Sequence, residues 1–158
     1  IVRERTGTNL TPDTAFALSR LPYVVGLKEA SGNMVQVVEI LARTAEDWAV
    51  FSGEDALFHN FLESGAKGII CTTSNTAPER FVALYDAYKS GDHEGARRLQ
   101  FALLPLINAH FMSTNPIPVK AAAHLLGLCE NELRLPLVPL NDAPLERLRG
   151  VLAHEGLL

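Results

Sequence analysis

The stretch Tyr23-Val24-Val25-Gly26-Leu27, which runs into Lys28-Glu29, decides the fold class. It is a short apolar run rich in β-branched residues, which is typical of a buried strand. Two later runs have the same form: Trp48-Ala49-Val50-Phe51 before Ser52-Gly53, and Gly68-Ile69-Ile70-Cys71 before Thr72. Because all three runs are almost continuously apolar, they predict strands of a parallel sheet covered by helices.

Segments with helical periodicity lie between these runs. They extend from Thr11 to Leu21, with Thr11 as the cap and Pro12 first in the helix, from Met34 to Thr44, and from Glu54 to Ser64. In the second segment, Met34, Val37, Val38 and Leu41 fall on one face. Strand and helix therefore alternate, as in right-handed βαβ units.

After Thr76 the pattern predicts helices only. Thr76 and Glu79 have capping-box spacing, and Ser90-Gly91-Asp92 predicts a break. The predicted helices span 78–89, 93–110, 115–126 and 145–155. We expect the architecture to change near Gly91, which divides the chain into residues 1–91 and 92–158.

Composition excludes several functional classes. The chain has 158 residues and a formal net charge of −4, with no basic stripe, which argues against a nucleic-acid partner. No apolar stretch is long enough for a membrane span, and the first residues lack the apolar core of a signal peptide, so we expect a cytoplasmic protein. Cys71 and Cys129 are far apart and favour reduced thiols over a disulfide framework or a zinc site.

The carboxyl ends of the predicted strands are the places to look for chemistry, because sites of parallel α/β sheets gather there. Lys28 ends an apolar run, where burial would lower the pKa of an amine enough for it to attack a carbonyl. Spacing alone favours the structural explanation, in which the lysine pairs with Glu29 or extends its amine to solvent. Gly53 could line a site, and Arg5 could grip a carboxylate or lie on the surface.

The remaining polar clusters favour structural explanations. Thr72 to Asn75 could donate to an anion or form a plain capped loop. Glu54-Asp55 fits a helix start, where the helix dipole favours acids. The histidines have no metal-ligand spacing, so we predict no metal site and place each on a helix surface: His59, His93, His110, His124 and His154.

Several segments together resemble one known family. They are Arg5-Thr6-Gly7, Gly26-Leu27-Lys28-Glu29-Ala30-Ser31-Gly32-Asn33, Phe51-Ser52-Gly53-Glu54-Asp55, Gly68-Ile69-Ile70, Asn115-Pro116-Ile117-Pro118-Val119-Lys120 and Leu133-Arg134-Leu135-Pro136. Their identity and order resemble the dihydrodipicolinate synthase family of pyruvate-dependent, Schiff-base aldolases. The resemblance implies the C-terminal part of a TIM (β/α)₈ barrel, with about three parallel strands, followed by an all-helical C-terminal domain.

The same resemblance implies roles for individual residues. Lys28 would form the Schiff base with pyruvate, Arg5 would bind the carboxylate of L-aspartate 4-semialdehyde, and Ile70 and Gly53 would line the pyruvate pocket. The product would be 4-hydroxy-tetrahydrodipicolinate, in the diaminopimelate route of lysine biosynthesis. The chemistry needs no metal or organic cofactor, and the parent lyase would be a homotetramer.

Other interpretations remain open. N-acetylneuraminate lyase and keto-deoxy sugar acid aldolases share the lysine and the barrel. The chain could also be a catalytically incompetent half-barrel fragment, because it lacks the segments that carry the tyrosines of the family's proton relay. A third alternative is an α/β binding module without covalent chemistry.

Overall fold

A computed structural model describes residues 6–158. Within that range the chain forms a three-stranded parallel sheet of order β1-β2-β3 together with helices. The strands are β1 (Gly26–Glu29), β2 (Ala49–Ser52) and β3 (Gly68–Ile69). The α-helices are α1 (Pro12–Ser19), α2 (Met34–Arg43), α3 (Phe58–Glu63), α4 (Pro78–Lys89), α5 (His93–His110), α6 (Ile117–Leu125) and α7 (Asp142–His154). The predicted α/β alternation and parallel pairing are confirmed.

Strand pairing aligns the three strands in fixed rows. Lys28 pairs with Phe51, which pairs with Gly68, and Glu29 pairs with Ser52, which pairs with Ile69. Because successive side chains on a strand point to opposite faces, the two rows face opposite sides of the sheet. Gly26 permits the close approach of β1 to β2, since a Cβ at this position would lie 2.3 Å from the carbonyl oxygen of Ala49.

Helices α1 and α2 cover one face of the sheet. Ala15, Ile40, Trp48 and Val50 are buried together there, and Leu27 packs against them. The indole Nε1 of Trp48 donates a 2.7 Å hydrogen bond to the carbonyl oxygen of Val24, which ties β1 to the chain that enters β2. Asn33 caps the N-terminus of α2, and its Oδ1 accepts from the backbone N–H groups of Val35 and Gln36.

The chain divides into two compact units, residues 1–71 and 72–158. The second unit, described by itself, has a core built from three of its helices, α5, α6 and α7, with Leu106, Ala122, Leu148 and Leu152 at its centre. Helices α4 and α5 pack against each other across Gly91. The expected change of architecture at 91 therefore falls inside a compact unit. Whether residues 1–91 form the barrel part of a larger protein stays a prediction.

Several local predictions are wrong. Strand β1 ends at Lys28-Glu29 as predicted, but it begins at Gly26 and not at Tyr23, because Tyr23 and Val25 are exposed and precede the first ladder pair. Thr76 does not cap α4: the N-cap is Ala77, and the Thr76 hydroxyl contacts the carbonyl oxygen of Thr73 and Nε2 of His110 instead. His110 is fully buried, with Nδ1 donating to the carbonyl oxygen of Leu106, because the interior of the second unit supplies partners for both ring nitrogens.

Among residues 6–158, no helix combines the length and the apolar composition that crossing a membrane requires. The same described residues contain no group of three or more His, Cys, Asp or Glu side chains arranged to hold a metal ion.

Replacing Ile40 by Ala should destabilise the first unit. Ile40 is fully buried, so we expect the free energy of unfolding to fall by about 2–5 kcal/mol from lost transfer energy and the cavity left behind. Trp48, the only tryptophan, packs in the same cluster and reports unfolding by its fluorescence in a urea titration. The control is Val38→Ala on the same helix, where the side chain is 53% exposed and the change should stay within about 0.5 kcal/mol. Equal effects of the two variants would contradict the packing described.

Candidate active site

The candidate site lies where the three parallel strands end. Gly53 directly follows β2, and its N–H donates a 2.6 Å hydrogen bond to the carbonyl oxygen of Glu29 at the end of β1. Ile70 directly follows β3, and its N–H donates a 2.8 Å bond to the carbonyl oxygen of Ser52. The predicted site residues Gly53 and Ile70 are thus held at the same sheet edge as the end of β1, which carries Lys28.

Lys28 and Gly53 are in direct contact. The Lys28 side chain is half-buried, and a Cβ built on Gly53 would lie 2.9 Å from Lys28 Cε, 2.6 Å from Ala30 Cβ and 3.0 Å from the carbonyl oxygen of Glu29. Real Cβ atoms do not approach other heavy atoms so closely. The absence of a side chain at Gly53 therefore provides the space in which the Lys28 stem lies.

Glu29 faces the opposite side of the sheet and is fixed there by hydrogen bonds. Its carboxyl group is buried and accepts from the N–H of Ser31, at 3.1 and 3.3 Å for its two oxygens. Its Oε1 also accepts from Nε2 of Gln36 at 2.9 Å. These bonds compensate the cost of burying an acidic group and fix the turn that follows Lys28.

Lys28 also borders a small pocket. Its lining consists of the segment Thr8, Asn9 and Leu10 on one side and of residues Leu27, Lys28, Glu29 and Ser31 on the other. Among residues 6–158, the Lys28 amine has no hydrogen-bond or ion-pair partner, although Glu29 is adjacent in sequence. The alternative that Lys28 pairs with Glu29 is therefore wrong: the two side chains point to opposite faces of the sheet, and the carboxylate is bound by Ser31 and Gln36.

The remaining residues that the sequence suggested for a site lie in different environments. Arg5 lies outside the described residues. Ile70 has a half-exposed side chain, and only its backbone is tied to the neighbouring strand. Asp55 begins a short 3₁₀ helix and is buried. In the second unit, Asn115 Nδ2 donates to the Thr72 hydroxyl at 3.4 Å.

Asn9 and Gln36 were not among the predicted site residues: Gln36 donates to the buried carboxylate, and Asn9 bonds to Gln36. Gln36 was detectable in principle, because a polar residue there precedes Ile40 by one helical turn on the face that packs against the sheet. Its partners Glu29 and Asn9 are 7 and 27 residues away in sequence, and no local pattern connects them.

Comparison with known proteins identifies the family. The family model described as the dihydrodipicolinate synthetase family matches residues 2–155. The chain belongs to this family. A 4-hydroxy-tetrahydrodipicolinate synthase from Nitratidesulfovibrio vulgaris is 47% identical over 158 residues, which cover 99% of this chain and 54% of that protein.

Solved structures of the dihydrodipicolinate synthetase family have the same fold. The synthase from Thermotoga maritima superposes with a TM-score of 0.96 at 44% identity, covering 99% of this chain and 55% of that one. The chloride-inhibited synthase from Acinetobacter baumannii, complexed with pyruvate, superposes with a TM-score of 0.94 at 35% identity, with coverage of 99% and 54%. The chain spans about half the length of the relatives it matches.

Replacing Gly53 by Ala should displace the side chain of Lys28. The new Cβ would occupy the space of the Lys28 stem, so we expect a loss of about 1–3 kcal/mol from overpacking and faster acylation of the displaced amine. Urea titration measures the first effect, and peptide mass spectrometry after brief treatment with an amine acylating reagent measures the second.

Gly150→Ala in α7 is the matched control, because a Cβ there has no heavy atom within 4 Å and the helix should gain about 0.5–1 kcal/mol. Wild-type stability and wild-type Lys28 acylation in the Gly53→Ala variant would show that Gly53 does not define the position of Lys28.

Proposed function

We propose that this chain is part of a lyase that condenses pyruvate with L-aspartate 4-semialdehyde through a Schiff base on Lys28. The observation that carries the proposal is the placement of Lys28 at the carboxyl end of β1, where its stem lies in the space left by Gly53. A relative with 47% identity has the name of this synthase, and a solved relative is complexed with pyruvate. Both the activity and the substrates belong to the whole protein.

The proposed reaction begins with nucleophilic attack of the Lys28 amine on the ketone carbon of pyruvate. The carbinolamine loses water to form an iminium, which withdraws electrons from the adjacent methyl group. Loss of a methyl proton gives an enamine. Its carbon bonds to the aldehyde carbon of the semialdehyde, whose oxygen takes up a proton. The amine of the semialdehyde then attacks the imine carbon, closes the ring and releases the Lys28 amine.

The other proposed site residues bind and orient the substrates. Gly53 leaves the Lys28 stem room to reach the ketone. The main chain of Ile70, which the 2.8 Å bond to Ser52 holds at the same edge, lines the pyruvate pocket. Arg5 binds the semialdehyde carboxylate through two parallel hydrogen bonds, a geometry for which the guanidinium is suited. The proposed chemistry requires no metal or organic cofactor.

The larger setting is part of the same proposal. The parent protein would be a (β/α)₈ barrel followed by a C-terminal helical domain, since a complete barrel requires about 250 residues. The parallel sheet supports the first part of this proposal and the helices of the second unit support the second. A homotetrameric parent and a cytoplasmic location stay predictions.

Reduction with borohydride in the presence of pyruvate should attach a three-carbon adduct to Lys28. Borohydride reduces the iminium to a stable secondary amine, which intact-mass and peptide mass spectrometry locate. Lys28→Arg keeps the positive charge but forms no iminium, so it should give no adduct. Lys67→Arg is the matched control, because Lys67 is exposed and precedes β3, so the adduct on Lys28 should persist. An adduct distributed over exposed lysines, or none in the folded chain and none in a chain extended upstream of Ile1, would refute the assignment of Lys28.

The second substrate is tested by competition. L-aspartate 4-semialdehyde added before borohydride should consume the enamine and lower the yield of the pyruvate adduct. A polyhydroxylated sugar aldehyde should leave the yield unchanged. The opposite result would favour a sugar acid aldolase of the same family.

A further inference from the structure

The side-chain amide of Gln36 joins two segments that are distant in sequence. Gln36 lies in the first turn of α2 and is 7% exposed. Its Nε2 donates to Glu29 Oε1 at 2.9 Å and to Asn9 Oδ1 at 3.3 Å. Its Oε1 accepts from Asn9 Nδ2 at 2.8 Å. Both amide hydrogens and the carbonyl oxygen of Gln36 are therefore used.

These two partners belong to the two walls of the pocket beside Lys28. Asn9 lies in one wall, Thr8 to Leu10, and Glu29 lies in the other wall, Leu27 to Ser31. Gln36 is not among the residues that line the pocket. Gln36 bonds to one residue of each wall, Glu29 and Asn9, without lining the pocket itself. Its effect on a bound molecule is therefore indirect, through the positions of these two walls.

The bond between Gln36 and Glu29 is stronger than an ordinary amide contact. Glu29 is 4% exposed, and a buried carboxylate that loses a donor costs more than a neutral group in the same position. The Asn9 side is weaker, because Asn9 is exposed and water competes for its amide. The bond from Gln36 to Glu29 and the bonds between Gln36 and Asn9 can therefore be tested separately by substitution.

We infer that Gln36 is a positioning residue, which holds the wall that carries Lys28 and the wall formed by Thr8 to Leu10 at a fixed separation. The inference rests on the proposed function, in which Lys28 and Arg5 act on the same substrates. The wall at Thr8 to Leu10 follows Arg5 closely in sequence, so the separation of the two walls would set the distance between these two residues. Gln36 itself takes no part in bond formation.

Two substitutions at Gln36 separate the two contacts. Gln36→Met keeps the length of the side chain and removes both contacts. Gln36→Glu keeps an acceptor for Asn9 Nδ2 but places a second carboxylate against Glu29, which repels it. Asn9→Ala removes only the exposed partner and provides a variant whose folding is not at risk. Val38→Ala, at an exposed position of α2, is the control.

Backbone NMR order parameters of the two walls provide a readout that does not depend on catalysis. We expect values of about 0.85 for both walls in the wild-type chain and in Val38→Ala. In Gln36→Met the order parameters should fall below about 0.6 in the wall at Thr8 to Leu10 and at Ser31, whose N–H donates to Glu29, whereas the ladder to β2 keeps Leu27 to Glu29 rigid. Gln36→Glu should loosen only Ser31, and Asn9→Ala only the wall at Thr8 to Leu10. Unchanged order parameters in Asn9→Ala, or equal loosening of Ser31 and of the wall at Thr8 to Leu10 by Gln36→Glu, would overturn the inference.

Borohydride trapping then separates this inference from the proposed function. Gln36→Met should lower the maximal trapping rate at saturating pyruvate about fivefold or more, the factor that corresponds to one hydrogen bond. Lys28 adduct formation in the wild-type chain together with an unchanged maximal rate in Gln36→Met would refute the positioning role and leave the proposed function intact. Absence of the adduct both in the wild-type chain and in a chain extended upstream of Ile1 refutes the proposed function, while the order parameters still decide the role of Gln36.

Discussion

Parallel pairing of β1, β2 and β3 is the constraint on which the candidate site depends. Strands that run in the same direction end at the same edge, so chain segments far apart in sequence present their last residues side by side. The backbone bonds from Gly53 to Glu29 and from Ile70 to Ser52 continue the ladder just past the strands. The site residues therefore lie on the rigid end of a sheet, where hydrogen bonds fix their positions.

A buried acidic group adjoins the proposed nucleophile without neutralising it. Glu29 is the next residue after Lys28, yet its carboxylate is occupied by Ser31 and Gln36 on the helix-covered face. The amine lies on the other face, where Gly53 leaves room for its stem. The four residues of β1 therefore place a hydrogen-bonded carboxylate on one face of the strand and the proposed nucleophile on the other.

Much of the fold was predictable from local patterns, and the errors have physical causes. Apolar β-branched runs identified three strands because a strand covered by helices excludes polar residues over most of its length. The start of β1 was placed too early, at Tyr23, because apolar character was taken as evidence of pairing, although Tyr23 and Val25 are exposed and pairing begins at Gly26. The prediction that Thr76 caps α4 was wrong because its hydroxyl contacts His110, 34 residues later in the sequence. No short window of sequence contains both residues.

The candidate site was predictable only in part. Lys28 and Gly53 were each identifiable as residues at strand ends, and family resemblance supplied the chemistry of the lysine. Their mutual contact depends on the pairing of Glu29 with Ser52, which sequence does not specify. The roles of Gln36 and Asn9 could not be predicted from sequence. Only the folded chain shows that Gln36 bonds both to the buried carboxylate of Glu29 and to Asn9.

The opposite orientation of Lys28 and Glu29 also protects β1 against mispairing. A slip of β1 by one residue along β2 would exchange the two faces of the strand. The Lys28 side chain would then be buried against α2, where Gln36 is positioned to donate to a carboxylate, and the acid would move to the opposite face, away from its donors. An unpaired buried charge is costly. The Lys-Glu pair thus makes the shifted alignment unfavourable, so that the correct pairing of a strand only four residues long is enforced by charge as well as by packing.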